Sequence, residues 1–379
     1  MQNNHLYTIN DSESLTLWRF PKQADDSPLQ AWDTADKLLA EYVLSNIAEK
    51  DRLNSALIVN DNFGAVTCHL NQISPSVFTD SKVSELATTK NIELNNLAPV
   101  KIETDTEALK NYPLVLVKLP KNLDFLQFIL QQAHQSQFQD VEIIAVAKAT
   151  DINKSVVKLF NRYFENVEVS LAKRKSRTIK ASGKQKSPYT SFQAWQKWQH
   201  NELDIYNASN VFSRSSLDLG ASFLLDYIPN TANKDVIDLA CGNGILGLSI
   251  LKTQTPNSVI FSDESHMAID SVTKNLNSNG FENSNIKIST IWQDCLTETE
   301  DESADIIICN PPFHQQKTIT DHIALQMFND AQRVLRKGGE LRLVGNQHLG
   351  YFQKLLTIFD DVKVLATNDK FVIISATKN

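Results

Sequence analysis

The sequence predicts two tandem, doubly wound α/β domains related by duplication, each a mostly parallel sheet with helices on both faces. Three observations lead there. Short apolar, β-branched runs alternate with helical patterns, and parallel neighbours need helical crossovers between them. The order of runs repeats: Glu340-Leu341-Arg342-Leu343-Val344, Asp360-Asp361-Val362-Lys363-Val364 and Lys370 to Ala376 echo Glu142-Ile143-Ile144-Ala145-Val146, Glu165-Asn166-Val167-Glu168-Val169 and Lys175 to Ala181, at an offset of 198 and then 195. Finally, 379 residues exceed one typical core, so about two domains are expected.

In chain order, strands are expected at Ala56 to Asn60, Ser76 to Asp80, Leu114 to Lys118 and Val141 to Ala147, with helical patterns at Glu85 to Leu94 and Leu123 to Ala133. Thr89-Lys90-Asn91-Ile92 recurs as Thr273-Lys274-Asn275-Leu276, 184 residues on. The stretch Lys180 to Pro188, with Ser182-Gly183 and Pro188, reads as the linker, giving domains of 1–182 and 183–379. Phe192, Trp195 and Trp198 follow in a polar stretch; they are read as packing against the neighbouring domain, with base stacking the alternative. Second-half strands are expected at Asp235 to Leu239, Ser258 to Ser262, Ile286 to Ile291, Asp305 to Cys309, Gly339 to Val344, Val362 to Ala366 and Phe371 to Ala376.

Composition narrows the class. Apolar residues make up 42% and charged ones 21%, and no apolar run approaches the ~18 residues that span a bilayer, so a globular protein off the membrane is expected. Met1 to Asp11 lacks a signal peptide's charged start and apolar core. Cys68, Cys241, Cys295 and Cys309 have no metal-type spacing, which points to reduced thiols in the cytoplasm and no metal site. The net charge of -7 hides an asymmetry: Lys148 to Lys186 holds eleven Lys/Arg and three Asp/Glu, a local +8. Such a belt, with Lys173-Arg174-Lys175 in it, can neutralise phosphates or be a solvated face.

Val236 to Gly247 reads as a strand, a glycine-rich turn and a helix start. Gly242 can take φ > 0, Gly244 permits close ligand approach, and Gly247 allows tight helix–strand packing. The spacing is G-x-G-x-x-G, which also fits a dinucleotide fold. Asp263 ends the next strand, 21 residues after Gly242, placed to accept two ribose hydroxyls. Asp238 can reach an amino group next to a sulfonium or order the loop. Asp294 follows the third strand and can accept from an adenine amine or cap a turn. Nicotinamide and S-adenosylmethionine both remain open at this point.

Asp305 to His314 bears on the choice. Ile306 to Cys309 forms a strand buried on both faces, and Pro311-Pro312 then ends ladder pairing, since proline has no N–H to donate. The residue before a proline is extended, so Asn310 and Pro311 are held rigid at a strand's carboxyl end, where open α/β sheets bind ligands. The Asn310 amide oxygen and the Pro311 carbonyl can accept both N–H groups of a base amine. They would draw its nitrogen toward sp³ and aim the lone pair at a methyl, while Phe313 stacks on the base. A base inside a helix must first be flipped out. Hydride transfer needs none of this.

On Asn310-Pro311-Pro312-Phe313 the second half resembles the class I, Rossmann-like S-adenosylmethionine-dependent methyltransferases that act on amino or amide nitrogens. The duplicated architecture is similar to the ribosomal RNA guanine-N2 methyltransferases of the RsmC and RlmG kind. Asn310 to Gln316, Asn207-Ala208-Ser209-Asn210-Val211-Phe212-Ser213-Arg214 and Leu29-Gln30-Ala31-Trp32-Asp33 resemble the large-subunit branch, and the resemblance covers nearly the whole chain. It implies a catalytic second domain and a degenerate first domain that helps bind 23S rRNA. The residues agree: Asp61-Asn62-Phe63-Gly64 stands where Gly242-Asn243-Gly244 does, and Lys118-Leu119-Pro120-Lys121 where Asn310 to Phe313 does. Phe63 would crowd a cofactor, and Lys118 cannot accept from an amine. Ala240 departs from the glycine common in such enzymes, by the smallest possible replacement.

Further candidates for substrate contact are Arg214, His314, Gln315, Gln316 and Asn346; Arg214 and Phe212 can equally cap or pack, and His314 is read as a hydrogen-bonding neighbour before a base. The alternatives are the same chemistry on 16S rRNA guanine, DNA adenine or protein glutamine, a nicotinamide oxidoreductase, or a non-catalytic RNA-binding protein.

Overall fold

The structure, a computed structural model, describes residues 4–21, 29–47, 50–188, 192–312 and 317–379, with side chains at all of these except 50, 51 and 317–321. The chain divides into two compact units, Met1–Gln193 and Ala194–Asn379. The first opens with a hairpin, β1 (Leu6–Asn10) and β2 (Glu13–Thr16). Its sheet is built from β3 (Ala56–Val59), β4 (Ser76–Phe78), β5 (Ile102–Glu103), β6 (Leu114–Lys118), β7 (Glu142–Lys148), β8 (Phe164–Val169) and β9 (Ser176–Lys184). The second opens with β10 (Gln196–His200) and β11 (Leu203–Asn207), again a hairpin. Its sheet holds β12 (Asp235–Leu239), β13 (Ser258–Asp263), β14 (Lys287–Trp292), β15 (Ala304–Cys309), β16 (Leu335–Asn346), β17 (Asp361–Thr367) and β18 (Phe371–Thr377).

The strand orders are β5-β4-β3-β6-β7-β9-β8 and β14-β13-β12-β15-β16-β18-β17, one topology used twice. In each, six strands run the same way and one, β9 or β18, runs against them, paired antiparallel on both sides. The order reverses at β3 and at β12, which opens a crevice at the carboxyl ends of β3/β6 and β12/β15. The apolar runs go to both faces: Ile306 and Ile308 enter one core of the second unit, Ile307 and Cys309 the other.

Three features differ from the expectations. The units part between Gln193 and Ala194, whereas the expected boundary at 182/183 falls inside β9. Lys180 is not linker: it pairs with Ile144 on one side and Glu168 on the other, and this two-sided ladder carries the strand past Ser182-Gly183. Trp198 packs on the core of its own unit, and Lys274 Nζ sits 5.1 Å from the Trp195 ring centre.

Candidate active site

After β12 the chain turns through left-handed conformations at Ala240 (φ 55), Gly242 (φ 55) and Gly244 (φ 81) before the helix Ile245–Thr253. The open space lies over Gly242, where an added Cβ would meet nothing within 4 Å. At Gly244 a Cβ would come 3.0 Å from Val272 Cγ2 and 3.2 Å from Phe261 Cε1, so this glycine serves packing rather than ligand approach. A Cβ on Gly247 would overlap the Phe261 ring.

Two carboxylates brace the turn. Asp263 Oδ2 accepts from Gly242 N–H at 2.8 Å and its Oδ1 from Ser265 N–H at 2.9 Å. Asp238 is wholly buried, and its Oδ2 accepts from Gly247 N–H at 2.9 Å. Burial pushes the Asp238 carboxyl well above the usual range. Its Oδ1 has no partner among the described residues. Asn243 Nδ2 donates to Asn207 Oδ1 at 2.8 Å, which leaves the buried Asn207 Nδ2 without a partner among the described residues. Sequence reasoning missed Asn207 as a site residue, because one asparagine at the end of a short strand carries no pattern.

Across the crevice, Asn310 follows β15, whose Cys309 pairs with Leu239 of β12. Asn310 Nδ2 donates to Asp218 Oδ2 at 3.1 Å, while its Oδ1 is buried and has no partner among the described residues. Pro311 is buried and Pro312 exposed. Phe313, His314, Gln315 and Gln316 lie outside the described residues. Asn346 closes β16 with its Oδ1 likewise buried and unpartnered among the described residues. Asp294 lies beyond β14, and its Oδ2 accepts from Gln326 Nε2 at 2.8 Å. Arg214 is half-buried in the turn ahead of Asp218, next to an exposed Phe212.

Lys173, Arg174 and Lys175 lie in the other unit, in the turn between β8 and β9. Lys173 and Arg174 pair with Glu41 at 3.1 and 2.8 Å; against the burial that would raise it, they hold the Glu41 carboxyl below its usual range. Lys175 is exposed.

Buried polar atoms without partners cost about 1–3 kcal/mol each and call for an explanation. Here one donor (Asn207 Nδ2) and three acceptors (Asp238 Oδ1, Asn310 Oδ1, Asn346 Oδ1) remain. A ligand with an ammonium and a carboxylate, together with an aromatic amine, satisfies this set. Methionine's α-carbon substituents on S-adenosylmethionine supply the first two.

The first unit fills the matching crevice with its own side chains. Lys118, in the place of Asn310, sets Nζ 2.5 Å from Asp36 Oδ1 and 3.6 Å from Asp33 Oδ1. Asp61 Oδ2 accepts from the Thr67 N–H and hydroxyl, both at 2.8 Å. Arg19 lies 4.6 Å above the Phe63 ring.

Residues 6–185 match the family described as the RLMG N-terminal domain, and residues 202–375 the methyltransferase small domain. The chain is 38% identical to ribosomal RNA large subunit methyltransferase G of Pseudoalteromonas translucida (strain TAC 125), over 97% of both chains. It is 42% identical to the protein of that name from Klebsiella pneumoniae (strain 342), again over 97% of both. Among solved structures, the T. thermophilus 16S rRNA N2 methyltransferase RsmC, in complex with AdoMet and guanosine, has the same fold: the TM-score is 0.75 at 19% identity, covering 100% of this chain and 99% of that one.

Proposed function

The chain belongs to the ribosomal RNA large subunit methyltransferase G family, and on that premise we propose that it methylates the exocyclic N2 amine of one guanine in 23S rRNA. It is a methyltransferase that uses S-adenosylmethionine. The observation that carries the reading is Asn310: its Oδ1 is a buried, unpartnered acceptor among the described residues, at the sheet's reversal point opposite the glycine turn.

S-adenosylmethionine supplies an electrophilic methyl on a sulfonium. Asn310 Oδ1 and the Pro311 carbonyl accept the two N–H groups of the base amine, and Pro311-Pro312 keep both acceptors rigid. The bound cofactor would give up its methyl to the amine nitrogen and leave as the neutral thioether, and one amine proton would pass to water, because a neutral amide is an aligner and not a base. Asn346 would border the base; Phe313, His314 and Gln315, outside the described residues, remain the sequence's candidates for contact with it. Asp238 Oδ1 would take the cofactor's ammonium and Asn207 Nδ2 its carboxylate, with Arg214 a further candidate for that end. Asp263 would take the ribose hydroxyls and Asp294 the adenine amine. Ala240, Gly242 and Gly244 shape the backbone between them. The first unit, with the basic belt and Lys173, Arg174 and Lys175, holds rRNA in the cytoplasm.

Asn310→Ala tests this. Its S-adenosylmethionine Kd stays within about twofold of wild type while kcat falls about a hundredfold or more. Full activity of the variant on rRNA would contradict the reading.

A further inference from the structure

We infer that Asp218 is a positioning residue for methyl transfer: its carboxylate fixes the Asn310 amide with the oxygen, not the nitrogen, offered to the base. The inference rests on the methyltransferase reading of Asn310 given above.

An asparagine amide is nearly symmetric in shape, and its two orientations differ in which atom donates. Asp218 removes the symmetry. Its Oδ2 accepts from Asn310 Nδ2 at 3.1 Å. A flipped amide would set oxygen against carboxylate and forfeit a charge-assisted hydrogen bond. The observed orientation leaves Asn310 Oδ1 as the buried acceptor without a partner among the described residues. A donor amine on the base meets an acceptor only in this orientation.

The neighbouring residue fits the same purpose. A Cβ on Gly220 would lie 2.9 Å from Asp218 Oδ2, 3.3 Å from Asn310 Oδ1 and 3.4 Å from Phe371 Cε1. Gly220 therefore leaves bare the wall against which carboxylate and amide rest.

Asp218 Oδ2 also accepts from Ala221 N–H at 2.9 Å and so caps the helix Leu219–Leu225. Capping explains that bond but not the one to Asn310, some ninety residues away in sequence and on another element. The first unit repeats the placement. Asp33 caps the helix Thr34–Asn46, and its Oδ1 lies 3.6 Å from Nζ of Lys118, the residue in Asn310's place. A capping carboxylate aimed at the end of the fourth strand thus belongs to the duplicated fold. In one unit it meets an ammonium, in the other it orients a carboxamide.

Two variants of the full-length protein test this. Asp218→Ser keeps a capping hydroxyl but cannot reach Asn310. Gly220→Ala keeps both side chains and pushes the carboxylate off its position. With rRNA as substrate, each should lower kcat about ten- to a hundredfold and leave the calorimetric Kd for S-adenosylmethionine at the wild-type value; Tm should hold in Asp218→Ser and fall modestly in Gly220→Ala, which displaces the same Oδ2 that caps Ala221. Asp218→Ser placed in an Asn310→Ala background should lower the single-turnover rate no further, since Asp218 acts through Asn310. An equal fold-loss in both backgrounds, or a lower Tm with kcat unchanged, would make Asp218 a helix cap and overturn the inference. Equal activity of wild type and Asn310→Ala would overturn the role of Asn310 itself, and Asp218's with it.

Discussion

Ala240 sits at φ 55, where an L-residue other than glycine pays about 1–2 kcal/mol. Glycine loses about 0.5–1 kcal/mol more backbone entropy on folding, so Ala240→Gly should stabilise the protein by about 0.5 kcal/mol, read as a higher urea midpoint. Asn60 holds φ 66 at the matching place in the first unit, so the turn's demand is on the backbone, not on a glycine. A second residue-scale prediction concerns pH. Burial pushes Asp36 up from 3.8 to about 6 and pushes His69 down from 6.5 to about 4. Lys118 is buried too, which works against its charge, yet the carboxylates around it hold it above its ordinary value; one ammonium cannot satisfy both Asp36 and Asp61, so burial prevails for the carboxyls. The signs are opposite. Folded Asp36 holds its proton more tightly than the unfolded chain, so its contribution to stability falls as pH rises from about 4 to 6; folded His69 resists protonation, so its contribution falls as pH drops from about 6.5 to 4. Relative to wild type, Asp36→Asn should gain stability with rising pH across this window, and His69→Gln should lose it. Melting curves at pH 4.5 and 6.5 check both.

The elements around the sheets depend on paired asparagines. Asn91 Oδ1 takes Trp18 N–H at 2.9 Å, and its Nδ2 donates to the carbonyls of Trp18 and Phe63 at 2.9 and 2.8 Å. Asn275 does the same in the second unit, with Tyr206 N–H at 2.7 Å and the carbonyls of Tyr206 and Asn243 at 3.0 Å. One turn on, Asn95 and Asn279 clamp Thr16 and Asp204 through both backbone groups. This explains the echo of Thr89 to Ile92 in Thr273 to Leu276: each copy carries the residue that docks a hairpin and the cofactor-loop equivalent onto one helix. Asn275→Ala should cost about 2–4 kcal/mol and weaken S-adenosylmethionine binding, because Asn243 loses its anchor. Asn279→Ala should destabilise without weakening the cofactor. The clamps also explain what was legible in the sequence. The central strands were visible because both faces are buried, so Ile306 to Cys309 is apolar throughout. The hairpin β10–β11 was not, because β10 alternates half-buried and exposed residues and is held by side chains elsewhere. β5 is only two residues long, too short for any period. In the site, the glycine turn and Asn310-Pro311-Pro312 could be read because backbone constraints dictate residue type. Asp218 and Asn207 could not, since their roles exist only in the folded contacts.

At the scale of the whole molecule, one topology appears twice and only one copy keeps an open site. The first unit has closed its crevice with Lys118, Asp36, Asp61 and Phe63, so one S-adenosylmethionine should bind per chain in a calorimetric titration. A stoichiometry of two would contradict the closure. The charge asymmetry divides labour in the same direction: the +8 belt from Lys148 to Lys186 lies in the unit without the cofactor turn, on a chain of net charge -7. Replacing Lys173, Arg174 and Lys175 with Gln should raise KM for rRNA and flatten its salt dependence, with kcat and cofactor affinity unchanged. The measurement that bears most directly on the whole account is a mass-spectrometric map of rRNA from a strain lacking this gene, carrying either the wild-type chain or Asn310→Ala. The account predicts that one N2-methylguanine disappears from 23S rRNA, returns with the wild-type chain and does not return with the variant. An unchanged 23S map, a loss from 16S rRNA instead, or restoration by Asn310→Ala would contradict it.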